Sequence, residues 1–149
     1  MHKGAVELCL NKSGEMERKG FMNVQKINCA NLSRLPAFSH AAVAGDFIYV
    51  SGTLGIKHDK LEIVEGGVSK ETEQILFHIS TILSECHARL EDIVKINVYL
   101  TDMNNFHDMN SAYLDAIQFD PPARITVAVK ALALGASVEM DCIAYKPKK

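Results

Sequence analysis

Residues 121–145, PPARITVAVKALALGASVEMDCIAY, contain two segments with the alternating pattern of half-buried β-strands, joined by a short linker that includes Gly135. The apolar positions of the first segment are Ile125, Val127 and Val129. Those of the second segment are Val138, Met140, Cys142 and Ala144. The pattern predicts two strands of a sheet, each of which directs a charged side chain, Arg124 or Glu139, away from its apolar face.

Arg124 and Glu139 have two interpretations. In one, they are solvated charges on an exposed sheet face, as most charged residues in strands are. In the other, a fixed guanidinium and a carboxylate flank a small anionic substrate. Strand alternation leaves both interpretations open. It also leaves the strand register open, because a slip of one residue would send the two groups to opposite faces.

The composition is that of an ordinary globular protein, with 48% hydrophobic and 23% charged residues in a chain of 149. This length is sufficient for one domain with its own core, or for a domain that completes its core by oligomerising. The net charge of −2 gives no basic footprint for nucleic acid or an anionic membrane. No apolar segment approaches the ~20 residues of a membrane span, and we expect no signal peptide.

The four cysteines, Cys9, Cys29, Cys86 and Cys142, form no CxxC motif and no paired spacing. We therefore expect free thiols in a reducing compartment, which favours the cytoplasm and leaves the mitochondrion open. The six histidines form no HExxH or HxH motif, and the chain has no glycine-rich phosphate loop and no GxSxG elbow. The sequence thus predicts neither a metal site nor a cofactor.

The chain has the element order of an α+β domain. Residues 1–20 show no sustained period and are predicted to be a flexible tail that precedes a single domain, residues 21–149. Besides the two strands above, strands are expected near residues 21–29, 41–44, 47–52, 61–64 and 93–100. Helices are expected from Ser69 and from the N-cap Asp102 to about Gln118. We expect both helices on one face of a mixed sheet.

Each predicted helix carries one apolar stripe. The stripe of the first comprises Val68, Thr72, Ile75, Ile79, Ile82, Leu83 and Cys86, and the opposite side comprises Lys70, Glu71, Glu73, Gln74, Ser84 and Glu85. The stripe of the second comprises Phe106, Met109, Asn110, Tyr113, Ala116 and Ile117. Asn110 is unusual there, because a buried amide needs hydrogen-bond partners. Either nearby backbone supplies them, or this helix face borders a polar cleft.

Several segments together resemble a known family. They are Pro36-Ala37-Phe38-Ser39, Ile48-Tyr49-Val50-Ser51-Gly52, Gly66-Gly67-Val68, Val94-Lys95, Thr101-Asp102-Met103, Pro122-Ala123-Arg124 and Val138-Glu139, with Phe106, Asn110 and Tyr113. Their order and spacing over residues 24–145 resemble the RidA/YjgF/UK114 family of reactive-intermediate deaminases.

The resemblance implies a chorismate-mutase-like α+β fold that assembles as a homotrimer with three clefts at the subunit boundaries. It also implies a hydrolase that needs no cofactor or metal. Its substrates would be 2-imino acids such as 2-iminopropanoate and 2-iminobutanoate, or their enamine tautomers, and its products 2-oxo acids and ammonia. Such imino acids are formed by PLP-dependent dehydratases acting on serine and threonine.

The resemblance also assigns site residues. Arg124 would hold the substrate carboxylate, and Glu139 would position and help activate the attacking water. Phe38, Ser51 and Asn110 would line the cleft, and the backbone near Thr126 would fix the reacting group. A guanidinium suits the first role because it binds a carboxylate through two parallel hydrogen bonds.

Phe38 departs from the family pattern, because many active members have tyrosine at this position. This departure favours a second hypothesis, a non-catalytic trimer that binds small carboxylates or acts as a chaperone-like or regulatory partner, whereas the set of Arg124, Glu139 and Asn110 favours catalysis. A third hypothesis is the RNA cleavage or translation inhibition attributed to some family members. The net charge of −2 and the lack of a basic stripe argue against tight RNA binding.

Overall fold

The computed structural model describes residues 8–10, 16–18, 24–33, 36–58 and 60–147. The strands are β1 (Leu8–Leu10), β2 (Met16–Arg18), β3 (Gln25–Ile27), β4 (Ala41–Ala44), β5 (Phe47–Leu54), β6 (Ile93–Leu100), β7 (Ala123–Ala128) and β8 (Val138–Tyr145). The α-helices are α1 (Gly67–Glu85) and α2 (Phe106–Ala116).

Six strands form one mixed sheet in the order β3-β4-β5-β8-β6-β7. The strand β8 lies inside the sheet and pairs antiparallel with both β5 and β6. At one edge, β7 pairs parallel with β6. Because parallel neighbours need a crossover, the helix α2 connects these two strands. The strands predicted near residues 41–44 and 47–52 are confirmed as β4 and β5, which pair antiparallel across a turn at Gly45 and Asp46.

Both helices lie on one face of the sheet, so the predicted α+β class is confirmed. The alternation in β8 is also confirmed, since Val138, Met140, Cys142 and Ala144 are all buried. From α1, the predicted stripe residues Val68, Thr72, Ile75, Ile79, Ile82 and Leu83 are buried against this face, and Cys86 is half-buried. The core therefore lies between the helices and the central strands.

The prediction that Glu71 lies on the exposed side of the first helix is wrong. Its side chain is only 3% exposed, and its carboxylate accepts a hydrogen bond from the Ser137 backbone N–H at 2.8 Å. The backbone of Gly55 packs against that of Glu71 so closely that a Cβ on Gly55 would be 2.6 Å from the Glu71 Cα. The carboxylate is buried because it binds a backbone amide that has no strand partner.

The apolar face assigned to the 124–130 segment is likewise not the core face. Ile125 is 47% exposed and Val127 is 36% exposed, whereas Arg124 pairs with the buried Ile96 and Thr126 with the buried Val98. Directly paired residues share a sheet face, so Arg124 and Thr126 point toward the helices. Ile125 and Val127 lie on the opposite face, here called the open face, with Phe47, Tyr49 and Tyr145.

Three other boundaries differ from the predictions. The strand expected near residues 61–64 is reduced to a single bridge between Ile56 and Ile63. Asp102 caps a short 3-10 turn, accepting the Asn104 N–H at 2.9 Å, and α2 begins at Phe106 and ends at Ala116. The division into a tail, residues 1–20, and a domain, residues 21–149, stays a prediction; within the first segment, β1 pairs antiparallel with β2. The rest of residues 1–20 lies outside the described residues.

Candidate active site

Arg124 is held by three side chains of α2. Its guanidinium donates a hydrogen bond to Asn110 Oδ1 at 2.8 Å. Its Cζ lies 4.7 Å from the centre of the Tyr113 ring and 5.8 Å from that of Phe106. These contacts fix the plane of the guanidinium and leave other N–H groups for a ligand. The hydrogen-bond partner of Asn110 on its apolar helix stripe is therefore Arg124, a candidate site residue.

Thr126 lies two residues after Arg124 on the same face of β7. Its hydroxyl oxygen is buried and forms no hydrogen bond with the described residues, and the same is true of the Tyr113 hydroxyl. Burial raises the pKa of Tyr113, and the neighbouring Arg124 opposes this shift. A phenol that stays protonated can donate a hydrogen bond. Arg124 therefore lies beside hydroxyl groups that can still form hydrogen bonds with a ligand. Asn110, Tyr113, Arg124 and Thr126 are here called the arginine half-site.

Glu139 lies on β8 and is half-buried. Its carboxylate lies against Gly52, where an added Cβ would overlap Glu139 Oε1. Burial raises the pKa of Glu139, and the nearby negative charge of Asp141 raises it further. The two carboxylates differ in their contacts, because Asp141 accepts hydrogen bonds from Asn97 and Tyr99, at 2.8 and 2.9 Å. Glu139 has no such partner among the described residues, so it remains available to a water or a ligand.

Phe38 and Ser51 lie near Glu139. Ser51 donates its hydroxyl proton to the Ser39 carbonyl at 2.7 Å, which ties the end of the Phe38 loop to β5. The register between β5 and β8 shifts after Val50, and this irregularity brings Gly52 against Glu139. Phe38, Ser51, Gly52 and Glu139 are here called the carboxylate half-site.

A cavity of about 310 Å³ opens beside the carboxylate half-site and is here called the apolar pocket. Its walls include Phe38, Gly52, Leu134 and Glu139. It lies where β5 ends and β8 begins. His78 and Ile82 of α1 also line it.

One chain does not bring Arg124 and Glu139 together. Arg124 shares a row with Ile96, which pairs with Cys142 on the helix-covered face. Glu139 pairs with Tyr99, which in turn pairs with Val127 of the open face. Because paired residues share a face, the two charged groups project from opposite faces of the sheet. Each candidate site residue therefore belongs to one of two separate half-sites.

Sequence reasoning missed the roles of Tyr113, Gly52 and Leu134. Tyr113 was named on an apolar stripe and among the residues of the family resemblance but was given no role, because an aromatic ring that supports a cation looks the same in sequence as one in a core. Gly52 lies within β5, and only the tertiary contact with Glu139 shows why a side chain there is unfavourable. Among the described residues, no three His, Cys, Asp or Glu side chains converge as metal ligands.

The fold and its two half-sites define a small α+β domain with separate arginine and carboxylate sites. The chain belongs to the RidA/YjgF/UK114 family, because residues 30–146 match the family model described as Endoribonuclease L-PSP. It is 39% identical over 109 residues to a RutC family protein of Pyrococcus abyssi. The matched segment covers 73% of this chain and 86% of the relative.

Solved structures agree with the family assignment. Yeast Mmf1 is 34% identical, with a TM-score of 0.79 over 83% of this chain and 99% of the other. RidA from the Antarctic bacterium Psychrobacter sp. is 33% identical, with a TM-score of 0.77 over 81% of this chain and 98% of the other. Neither helix in the described parts of the chain has the length and apolar character to cross a membrane.

Proposed function

We propose that the protein hydrolyses reactive 2-imino acids, such as 2-iminopropanoate and 2-iminobutanoate, and their enamine tautomers to 2-oxo acids and ammonia. The observation that carries the proposal is the arginine half-site. A guanidinium fixed by an amide and two aromatic rings is suited to bind a planar carboxylate through two parallel hydrogen bonds. The chain also belongs to a family that includes a protein named RidA.

Glu139 supplies the second function that the reaction needs. An imine carbon is already electrophilic, so a positioned water and a base suffice. Glu139 takes a proton from the water as the water oxygen bonds to the imine carbon, and passes it to the nitrogen, which gives a carbinolamine. The carbinolamine hydroxyl then loses its proton to Glu139, which delivers it to the nitrogen as the C–N bond breaks, the C=O bond forms and ammonia leaves. The raised pKa of Glu139 makes its carboxylate a stronger base than that of an exposed glutamate.

The separation of the half-sites supports assembly from several copies. We infer a homotrimer in which Arg124 of one copy and Glu139 of another face the same cleft, with three clefts at the subunit boundaries. The open face supports this inference, since it presents Phe47, Tyr49, Ile125, Val127 and Tyr145 to solvent in a single chain. Exposed aromatic and aliphatic side chains on one sheet face, here with the polar pair Asn97 and Asp141 between the two groups, are typical of a protein interface.

The decisive experiment mixes two inactive variants, Arg124→Ala and Glu139→Ala, by unfolding and refolding them together. Each is expected to be inactive alone, because each lacks one half of every cleft. Random mixing is expected to restore about a quarter of the clefts, those that take both intact halves from different chains. Activity is followed as 2-oxo acid released from freshly generated 2-iminopropanoate in competition with a trapping nucleophile.

The control is the double variant Arg124→Ala/Glu139→Ala mixed with either single variant, which cannot complete more than one half of any cleft. Failure of the mixed single variants to restore activity, while refolded wild type is active, would overturn the shared cleft, and a single variant that is active alone would remove its residue from the site. Absence of activity in the wild type would favour the non-catalytic carboxylate-binding trimer instead.

RNA cleavage is the second candidate function, because the matched family model is described as an endoribonuclease. The net charge of −2 gives the chain little electrostatic attraction for a phosphate backbone. We therefore expect no RNA binding at about 150 mM salt, a condition at which a phosphate-driven interaction is strongly weakened.

We infer a cytoplasmic location from the free thiols. The mitochondrion is the alternative, because one yeast relative is named mitochondrial Mmf1.

A further inference from the structure

The apolar pocket is larger than the smallest imino acids require. The side chain of 2-iminopropanoate is a single methyl group, comparable in size to one water molecule at ~30 Å³. It would leave most of the pocket of about 310 Å³ empty. Since Glu139 forms part of the pocket wall, a substrate whose imine carbon lies near this carboxylate can direct its side chain inward.

The polar groups at the inner end of the pocket are already bonded to the protein. His40 accepts the Cys29 backbone N–H at Nδ1, at 3.0 Å, and its Nε2 lies 3.3 Å from the Ser33 carbonyl. His78 bonds to Gln74 at 2.7 Å. Thr53 donates to the Ser51 carbonyl at 2.9 Å. Because these groups have their partners, the inner pocket offers a ligand mainly apolar contact.

Leu134 borders the outer end of the pocket in an unfavourable conformation. Its backbone has φ 58° and ψ 14°, in the left-handed region that branched side chains rarely adopt. Its side chain is 53% exposed, so burial in the single chain does not account for it. An apolar side chain held in this way at a pocket entrance is a candidate for ligand contact.

We propose that the apolar pocket receives the substrate side chain, that it selects imino acids with branched or longer apolar side chains, and that Leu134 is a specificity-determining residue. This inference rests on the proposed deaminase function. Each additional buried methylene favours binding about fourfold. We therefore expect kcat/KM to be at least about tenfold higher for 2-imino-4-methylpentanoate than for 2-iminopropanoate.

The test compares these two imino acids, each generated from its amino acid by an amino-acid oxidase, with wild type, Leu134→Ala and Leu134→Gly. Both variants are expected to lower the ratio of the two kcat/KM values about fourfold or more. Glycine also relieves the backbone conformation, so a fall with both variants reports the lost side chain rather than misfolding. The control is Leu114→Ala, which removes a leucine that is also 53% exposed but lies on α2, away from the pocket.

The outcomes separate this inference from the proposed function. An unchanged ratio in both Leu134 variants, or a wild type that prefers 2-iminopropanoate, overturns the inference and leaves the deaminase intact. If wild type accelerates neither substrate, the proposed function fails, and calorimetry with 4-methyl-2-oxopentanoate and pyruvate tests the pocket alone. Tighter binding of the branched acid that Leu134→Ala weakens supports the pocket, and equal binding of the two acids overturns it.

Discussion

Glu139 is a carboxylate that the fold keeps partly out of water. Its pKa is raised by burial and by Asp141, so the folded protein binds the proton more tightly than the unfolded chain does. Between the unfolded glutamate pKa of about 4.3 and the raised folded pKa, the folded state therefore carries more protons. Stability falls as the pH rises through that window, because ionising Glu139 is less favourable in the folded protein.

Replacing Glu139 with glutamine should therefore separate activity from stability. We expect Glu139→Gln to lose on the order of 10²-fold or more of kcat, because the amide cannot accept the proton. Its Tm at pH 7 should equal or exceed that of the wild type, and the gain should shrink at pH 4, where the wild-type residue is protonated.

Thermal unfolding at the two pH values and a kcat measurement check this prediction. Glu91→Gln on an exposed segment is the control, with no effect on either quantity expected. A Tm at pH 7 clearly below that of the wild type, or near-normal turnover, would contradict the assignment.

Arg124 shows how a cation is kept available on a sheet edge. Asn110 and the ring of Tyr113 hold one side of the guanidinium, so less side-chain entropy is lost when an anion binds the other side.

The sequence predicted that Arg124 and Asn110 are site residues, because an amide on an apolar helix stripe is unusual. It could not predict that they bond each other, since the contact depends on the crossover from α2 to β7.

At the scale of elements, β8 and β7 show where sequence patterns succeed and fail. The alternation of β8 predicted its buried face correctly, because β8 lies inside the sheet and is covered by helices on one face only. The same rule failed for β7, whose Ile125 and Val127 are exposed in the single chain. An alternating pattern predicts two different faces, but it does not say which face the helices cover.

The prediction that Glu71 is exposed failed because its carboxylate bonds to a backbone amide that the helical pattern does not show. This contact allows a prediction about how α1 is held against β8. Its carboxylate accepts the Ser137 N–H just before β8 begins. We expect Glu71→Ala to lower the free energy of unfolding by about 1–3 kcal/mol, because the Ser137 amide loses its partner. Glu71→Gln should recover much of this loss, since an amide oxygen also accepts.

The matched control is Glu73→Ala on the same helix. Glu73 forms an exposed ion pair with Lys70 at 2.7 Å, and its removal should cost no more than about 0.5 kcal/mol. Urea denaturation of the four proteins checks the prediction. Equal losses for the two alanine variants would show that the Ser137 contact contributes little to holding α1 against the sheet.

At the scale of the whole molecule, the open face is the surface on which assembly is proposed. A charge placed there should prevent close packing of a second copy, because an unpaired lysine would be buried in the interface. If the protein is the proposed trimeric deaminase, we expect Ile125→Lys to be monomeric and inactive, while its far-UV spectrum stays native.

Light scattering after size-exclusion chromatography gives the mass of each variant. Leu114→Lys, which introduces the same charge at a similarly exposed position on the helical side, should remain trimeric and active. A trimeric Ile125→Lys would mean that the copies associate through another surface, and a monomeric wild type would remove the proposed cleft altogether.

The placement of Arg124 and Glu139 on opposite faces of the sheet also bears on how such a gene can evolve. In a cleft shared between chains, the arginine and the glutamate need not be encoded by the same gene copy. After a gene duplication, one copy could lose Arg124 and the other Glu139 by drift, and their mixed assembly would still hold working clefts. Neither copy could then be deleted, so mutual dependence of two paralogues would arise without any gain in activity.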